Sequence, residues 1–162
     1  MEKGGFKRMV NQLINQEHRK RIDSLVVRSP SIEEVNDFVN RWDIYSENSY
    51  DGCPERLEMP NSEEIEYNGL YANDSLVGLL ILHPKDDGKE IHLSMVKGLR
   101  HLARKFVNHV LSKEQKVYAH IPVCKRSTIN LAKKVGFQSL GEVGFFPKDG
   151  VNYPRELLCL KH

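Results

Sequence analysis

What this chain has little of narrows its class before any motif is read. Long apolar runs are missing: the longest, Leu79 to Leu82 with Val77 just before it, falls far short of the ~20 residues that span a bilayer as a helix. A helical membrane protein is excluded on that ground, and no membrane partner is expected. The amino terminus, MEKGGFKRMVNQL, is charged and lacks the apolar stretch of a signal peptide. Cysteine is scarce, with 3 residues, Cys53, Cys124 and Cys159, far apart and in neither CxxC nor histidine-flanked spacing. That pattern excludes a disulfide framework and a zinc knuckle, and reads as reduced thiols in a cytoplasmic chain. Excess charge is also lacking, since 24 basic and 22 acidic residues leave a formal +2, so the total indicates no general polyanion-binding surface.

What is present is the composition of one water-soluble globular domain: 162 residues, 40% hydrophobic and 28% charged. Phe6, Met9, Val10, Leu13 and Ile14 recur at helical spacing and run into Glu17 to Arg21, EHRKR. Residues 1–23 therefore read as an amphipathic helix with a basic linker, and 24–162 as the domain proper. Positive charge at that point suits a helix carboxyl end.

Within the domain, Ser24 to Arg28 is β-branched and strand-like, and Ser31 with Glu34 three residues later forms a capping box that opens a helix. Residues 43–64, with Gly52, Pro54 and Pro60, read as broken helix or loop with no packed face of its own. Three alternating segments follow, IEYNGLYA, SLVGLLILH and KEIHLSMV, separated by turns at Asn73-Asp74 and Asp86-Asp87-Gly88. They predict an antiparallel meander. Gly98 to Lys113 carries an apolar stripe from Leu99 to Leu111, Val117 to Ile121 is a strand, and STINLAKKVGF is a helix closed by Gly136. Two last strands, Ser139 to Phe146 and Pro154 to Lys161, flank a turn at Lys148-Asp149-Gly150. The class is α/β of the α+β type: a mixed, mostly antiparallel central sheet with helices on both faces, plus the extra amino-terminal helix. The crossover through residues 90–121 makes one strand pair parallel, and such a pair can splay into a ligand cleft.

The element order, together with AHIPVCKRSTINLAKKVGFQSLGE (Ala119 to Glu142), resembles the GNAT superfamily of acetyl-CoA-dependent acyltransferases, and IPVCKR before a GF-ending helix looks most like its compact bacteriophage-type members. Counted back from Gly136-Phe137, Leu131 and Lys134 match the family's late signature, whereas Lys125 stands at its Asn and Ala132 at its Tyr. The family's pyrophosphate loop, Arg/Gln-x-x-Gly-x-Gly/Ala, falls on Val96 to Ala103, where Lys97 and Gly98 fit and Arg100 occupies a glycine position. Glycines there let backbone N–H groups approach phosphate closely. The resemblance implies acetyl-CoA as cosubstrate, held by Ser94, Met95, Val96, Lys97, Gly98, Arg100, His101, Lys125 and Thr128, with an amine as acceptor.

Acyl transfer to an amine needs a base, an oxyanion donor and an acid for the leaving thiolate. The resemblance places the base on the fourth strand, where period-2 alternation puts Glu90, His92 and Ser94 on one face. Glu90 and His92 are the candidate proton relay. Ala132 cannot serve as acid, leaving Tyr118, Tyr153 or water. The histidines show no HExxH or comparable ligand spacing, so no metal is expected. Two further readings stay open beside the acetyltransferase: a GNAT-shaped binding or structural protein that has lost turnover, as part of a homodimer or larger assembly, and a nucleic-acid module built on Arg19 to Arg21 and the basic helix face.

Overall fold

Local chemistry sets the elements in a computed structural model that describes residues 22–162; the amphipathic stretch and basic linker of the amino terminus lie outside the described residues. Ser31 caps the first helix as expected: its Oγ accepts from the Glu34 N–H at 3.1 Å while Glu34 Oε1 accepts from the Ser31 N–H at 3.2 Å. The elements are β1 (Leu25–Arg28), α1 (Ile32–Val39), α2 (Trp42–Asn48), β2 (Glu66–Ala72), β3 (Ser75–Lys85), β4 (Gly88–Met95), α3 (Ala103–Leu111), β5 (Lys116–Pro122), α4 (Arg126–Val135), β6 (Gln138–Lys148) and β7 (Val151–Lys161). They form one seven-stranded sheet ordered β1-β2-β3-β4-β5-β7-β6. Every neighbouring pair is antiparallel except β4 with β5.

The core lies around β3, where all positions from Val77 to Leu82 are buried. Alternate residues of a strand face opposite sides, so the sheet is covered on both faces there. Val35 and Phe38 of α1, and Phe106, Val107 and Leu111 of α3, belong to the same cluster. The turn at Asn73 and Asp74 takes positive φ at both residues, 48° and 66°, the conformation that matches the twist of a two-residue hairpin. Gly136, at φ 119°, ends α4 as the left-handed residue its sequence position predicts.

Two expectations need correction. The segment 43–64 does have a packed face: α2 buries Ile44, and Leu57 and Met59 pack on the core. Asn36 of α1 and Asn40 at its C-cap supply what the segment lacks in regular pairing. The Asn40 side chain bonds both backbone groups of Leu57 at 2.8 Å, and Asn36 Oδ1 accepts from the Met59 N–H at 2.8 Å. The long helix, expected from Gly98, instead begins at Ala103 after a 3₁₀ turn at Arg100–Leu102. Gly98 at φ 94° turns the chain out of β4, and Leu102 N–H closes on Leu99 O at 3.0 Å, so the tighter turn precedes the α-helical ladder.

Candidate functional site

The cleft originates in how β4 leaves β5. Their register holds only Lys89 with Val117 and Glu90 with Tyr118; beyond that, β4 follows β3 to Met95 while β5 follows β7 to Pro122. The expected splay is therefore present, and the base from which it opens is clamped. A Cβ on Gly88 would lie 2.5 Å from the Lys116 carbonyl oxygen, so glycine permits this close approach. Asp87 accepts from both Lys116 Nζ and the Tyr118 hydroxyl, and these two donors, Lys116 first, hold its carboxyl down to about 2. Tyr118 is thus spent on the clamp, which removes it as the substitute acid considered above.

Between the diverging strands lies a cavity of about 150 Å³, with His92, Ser94, His120, Lys125 and Thr128 among its polar lining and Val107, Leu131, Ala132 and Phe137 among its apolar wall. The N–H of Val96 goes to Val77 O at 2.8 Å. By strand alternation the backbone groups of Leu93 and Met95 turn the other way, towards the cleft where β5 no longer pairs with them.

At the base of the cleft the sheet brings together four side chains from three strands. Glu90 pairs directly with His83 across the β3–β4 hairpin and lies beside Tyr118 of β5, so His83, Glu90, His92 and His120 share one face by the period-2 rule. Glu90 Oε1 accepts from His120 Nδ1 at 2.7 Å, and Oε2 stands 3.5 Å from His83 Nε2. The Glu90 side chain is 12% exposed. His83 and His92 stack at 5.1 Å between centroids, with Nε2 atoms 2.9 Å apart. His92 keeps an exposed edge, yet the protein packed around its imidazole desolvates it and lowers its pKa; Glu90 opposes this, and His83 and His120 add to it.

The residues singled out in the sequence divide into those the fold gathers and those it does not. Glu90, His92 and Ser94 share the predicted face, and Ser94 Oγ accepts from Asn48 Nδ2 at 3.1 Å. Met95 and Val96 are buried; Met95 turns its backbone groups to the cleft, whereas the Val96 N–H is taken by Val77. Lys125 is the residue before α4; its Nζ donates to Glu47 O at 2.8 Å, and burial lowers its pKa. Arg100 pairs with the Glu47 carboxylate, while Lys97 and His101 are exposed beside Gly98. His83 and His120 were missed. Their signal was present in the register that the Asp86-Asp87-Gly88 turn imposes on β3 and β4, and in the alternation of VYAHI.

No protein-family model matches the sequence, and no curated protein matches it. No helix among the described residues is long and apolar enough to cross a membrane. Solved structures do match the fold. A GNAT-family acetyltransferase from Streptococcus pneumoniae aligns with TM-score 0.69 at 10% identity, over 86% of this chain and 100% of its own. Spermidine N-acetyltransferase from Vibrio cholerae, solved with CoA and spermine, aligns with TM-score 0.70 at 15% identity, over 85% of this chain and 95% of its own. A seven-stranded, mostly antiparallel sheet that splays at its one parallel pair, matched over most of its length by these enzymes, has the fold of the GNAT acetyltransferases.

Proposed function

We propose that this protein is an N-acetyltransferase that moves an acetyl group from acetyl-CoA to an amine. The observation that carries the reading is the cavity between β4 and β5, lined by His120, whose Nδ1 bonds the buried Glu90 carboxylate at 2.7 Å. The cleft fits the cosubstrate. An amide-bearing chain can add to the unpaired edge of β4 at Leu93 and Met95 as an extra strand. Lys97 supplies an exposed cation for a phosphate beside Gly98, with His101 exposed next to it, while Arg100 is engaged by Glu47.

When bound, acetyl-CoA supplies the acetyl group and accepts a proton on its departing thiolate. The protein's part is proton handling and positioning. Glu90 is too buried to meet an ammonium directly, so an imidazole relays. His120 touches Glu90 at 2.7 Å, whereas the hydrogen bond of His92 runs to His83, which makes His120 the shorter route and His92 the second. The amine gives up a proton to the imidazole, and the Glu90 carboxylate stabilises the resulting cation. A new N–C bond replaces the C–S bond, the cleft-facing N–H groups of β4 stabilise the charge that develops on the carbonyl oxygen, and, with Ala132 unable to donate and Tyr118 held by Asp87, Tyr153 or water protonates the thiolate.

Ala132 and the pairing of Arg100 with Glu47 favour a second reading, a GNAT-shaped binding protein without turnover. Two measurements separate them. CoA or acetyl-CoA at 100 times its dissociation constant stabilises the folded state by about 2.7 kcal/mol, which thermal melting detects. Thiol release from acetyl-CoA with a panel of amines, polyamines first because a neighbouring fold acts on spermidine, then reports turnover. A melting shift without thiol release supports the second reading, and no shift at millimolar CoA removes the acetyltransferase.

A further inference from the structure

The face that carries the proton relay holds a second constellation that acyl transfer does not require. One ring nitrogen each of His83 and His92 and a carboxylate oxygen of Glu90 all lie within 4.8 Å of one another. Two imidazoles and a carboxylate are a donor set of catalytic and regulatory zinc sites, which keep a fourth position for water. Ligand atoms about 2.1 Å from one tetrahedral ion stand about 3.4 Å apart. Two of the three separations bracket that value, 2.9 Å between the two Nε2 atoms and 3.5 Å from His83 Nε2 to Glu90 Oε2, and the third is within 4.8 Å.

The surroundings orient the donors outside the hairpin's own pairing. His83 Nδ1 lies 3.1 Å from the Pro84 carbonyl oxygen. A carbonyl can only accept, so that nitrogen carries the proton and Nε2 presents its lone pair. On the other side, His120 Nδ1 binds Glu90 Oε1 at 2.7 Å, fixing the carboxylate so that Oε2 is the oxygen turned to His83. Partners of this kind, a backbone carbonyl behind one histidine and a hydrogen bond behind the carboxylate, are what orients ligands in metal centres.

We propose that His83, Glu90 and His92 form a binding site for a divalent transition ion of the zinc type, with His120 positioning Glu90 and solvent filling the fourth place. The site rests on this geometry alone. Its consequence for catalysis rests on the acetyltransferase reading: an ion on Oε2 of Glu90 draws off the negative charge that the relay needs, so ion binding and acyl transfer exclude each other.

The test uses the full, tag-free chain after chelator treatment and chelator removal. Cobalt(II) is titrated as a spectroscopic probe of tetrahedral N/O coordination, and zinc(II) is measured by competition with a chromophoric chelator. One equivalent of either ion is expected to bind, with a cobalt d–d band that zinc displaces. His83→Ala, which removes a ligand without touching the Glu90–His120 bond, is expected to weaken binding at least about 10²-fold, and His120→Ala by about 10 to 100-fold. His109→Ala, on the exposed face of α3, serves as a control with unchanged binding. Circular dichroism checks that each variant is folded. Absence of the band in the wild-type chain, or a band that survives His83→Ala, overturns the site. These readouts need no acetyl-CoA, so they stand apart from the proposed reaction. Failure of the metal-free protein to turn over counts against the acetyltransferase alone. Unchanged turnover with one equivalent of zinc bound overturns the mutual exclusion.

Discussion

Replacing Glu90 by glutamine separates the charge of this side chain from its shape. The amide oxygen can still accept from His120 Nδ1, now at 2.7 Å, and the amide N–H can donate to the His83 Nε2 lone pair 3.5 Å away. The fold is therefore expected to hold. A stability change under about 1 kcal/mol moves the melting temperature by under about 4 °C in a domain of this size. What disappears is the negative charge beside an imidazole that becomes cationic when it takes the proton of the amine. Two unit charges about 4 Å apart at an effective dielectric near 20 attract by about 4 kcal/mol, and each ~1.4 kcal/mol is a factor of ten in rate. The amide dipole returns part of this, so turnover is expected to fall by about 10² to 10³-fold. Thiol release at saturating acetyl-CoA and amine measures it, and affinity for CoA is expected to stay within about twofold because Glu90 does not face the phosphate end. A glutamine variant with wild-type turnover would remove Glu90 from the reaction. A large drop in melting temperature would show instead that the charge serves the fold.

Three other expectations concern the scaffold. Gly88→Ala places a methyl 2.5 Å from the Lys116 carbonyl oxygen, forces the base of the cleft apart, and is expected to cost about 1 to 3 kcal/mol in chemical denaturation; an unchanged midpoint would contradict the close approach. Ser31→Ala removes the cap of α1 and should cost about 1 kcal/mol in the same measurement. Tyr71, buried and donating to Glu34 Oε2 at 2.8 Å, has its pKa pushed up to about 12, burial leading and Glu34 second. Since the folded value exceeds the unfolded value near 10, this residue's contribution is complete below about pH 10 and is lost as pH rises towards 12. Phenolate absorbance is expected to show one tyrosine ionising last, and Tyr71→Phe to remove that step.

Sequence alone determined most of the elements because each rests on neighbours along the chain. The Ser31–Glu34 box, the left-handed Gly136 and the apolar stripe from Leu99 to Leu111 involve contacts three or four residues apart, and the turns at Asn73-Asp74 and Lys148-Asp149-Gly150 fix their hairpins from within. Parallel pairing of β4 and β5 was also legible, since a strand, helix and strand in succession leave little choice, and so was the shared face of Glu90, His92 and Ser94. The tertiary structure decided what depends on register between distant strands. Only the pairing of His83 with Glu90 and of Glu90 with Tyr118 brings His83 and His120 to the carboxylate, and a search for ligand spacing along the chain passes over three donors that meet across a hairpin. The packed face of segment 43–64 was hidden for a similar reason: Asn36 and Asn40 act as its backbone partners, and side chains that bond a loop some twenty residues away leave no periodicity in the sequence.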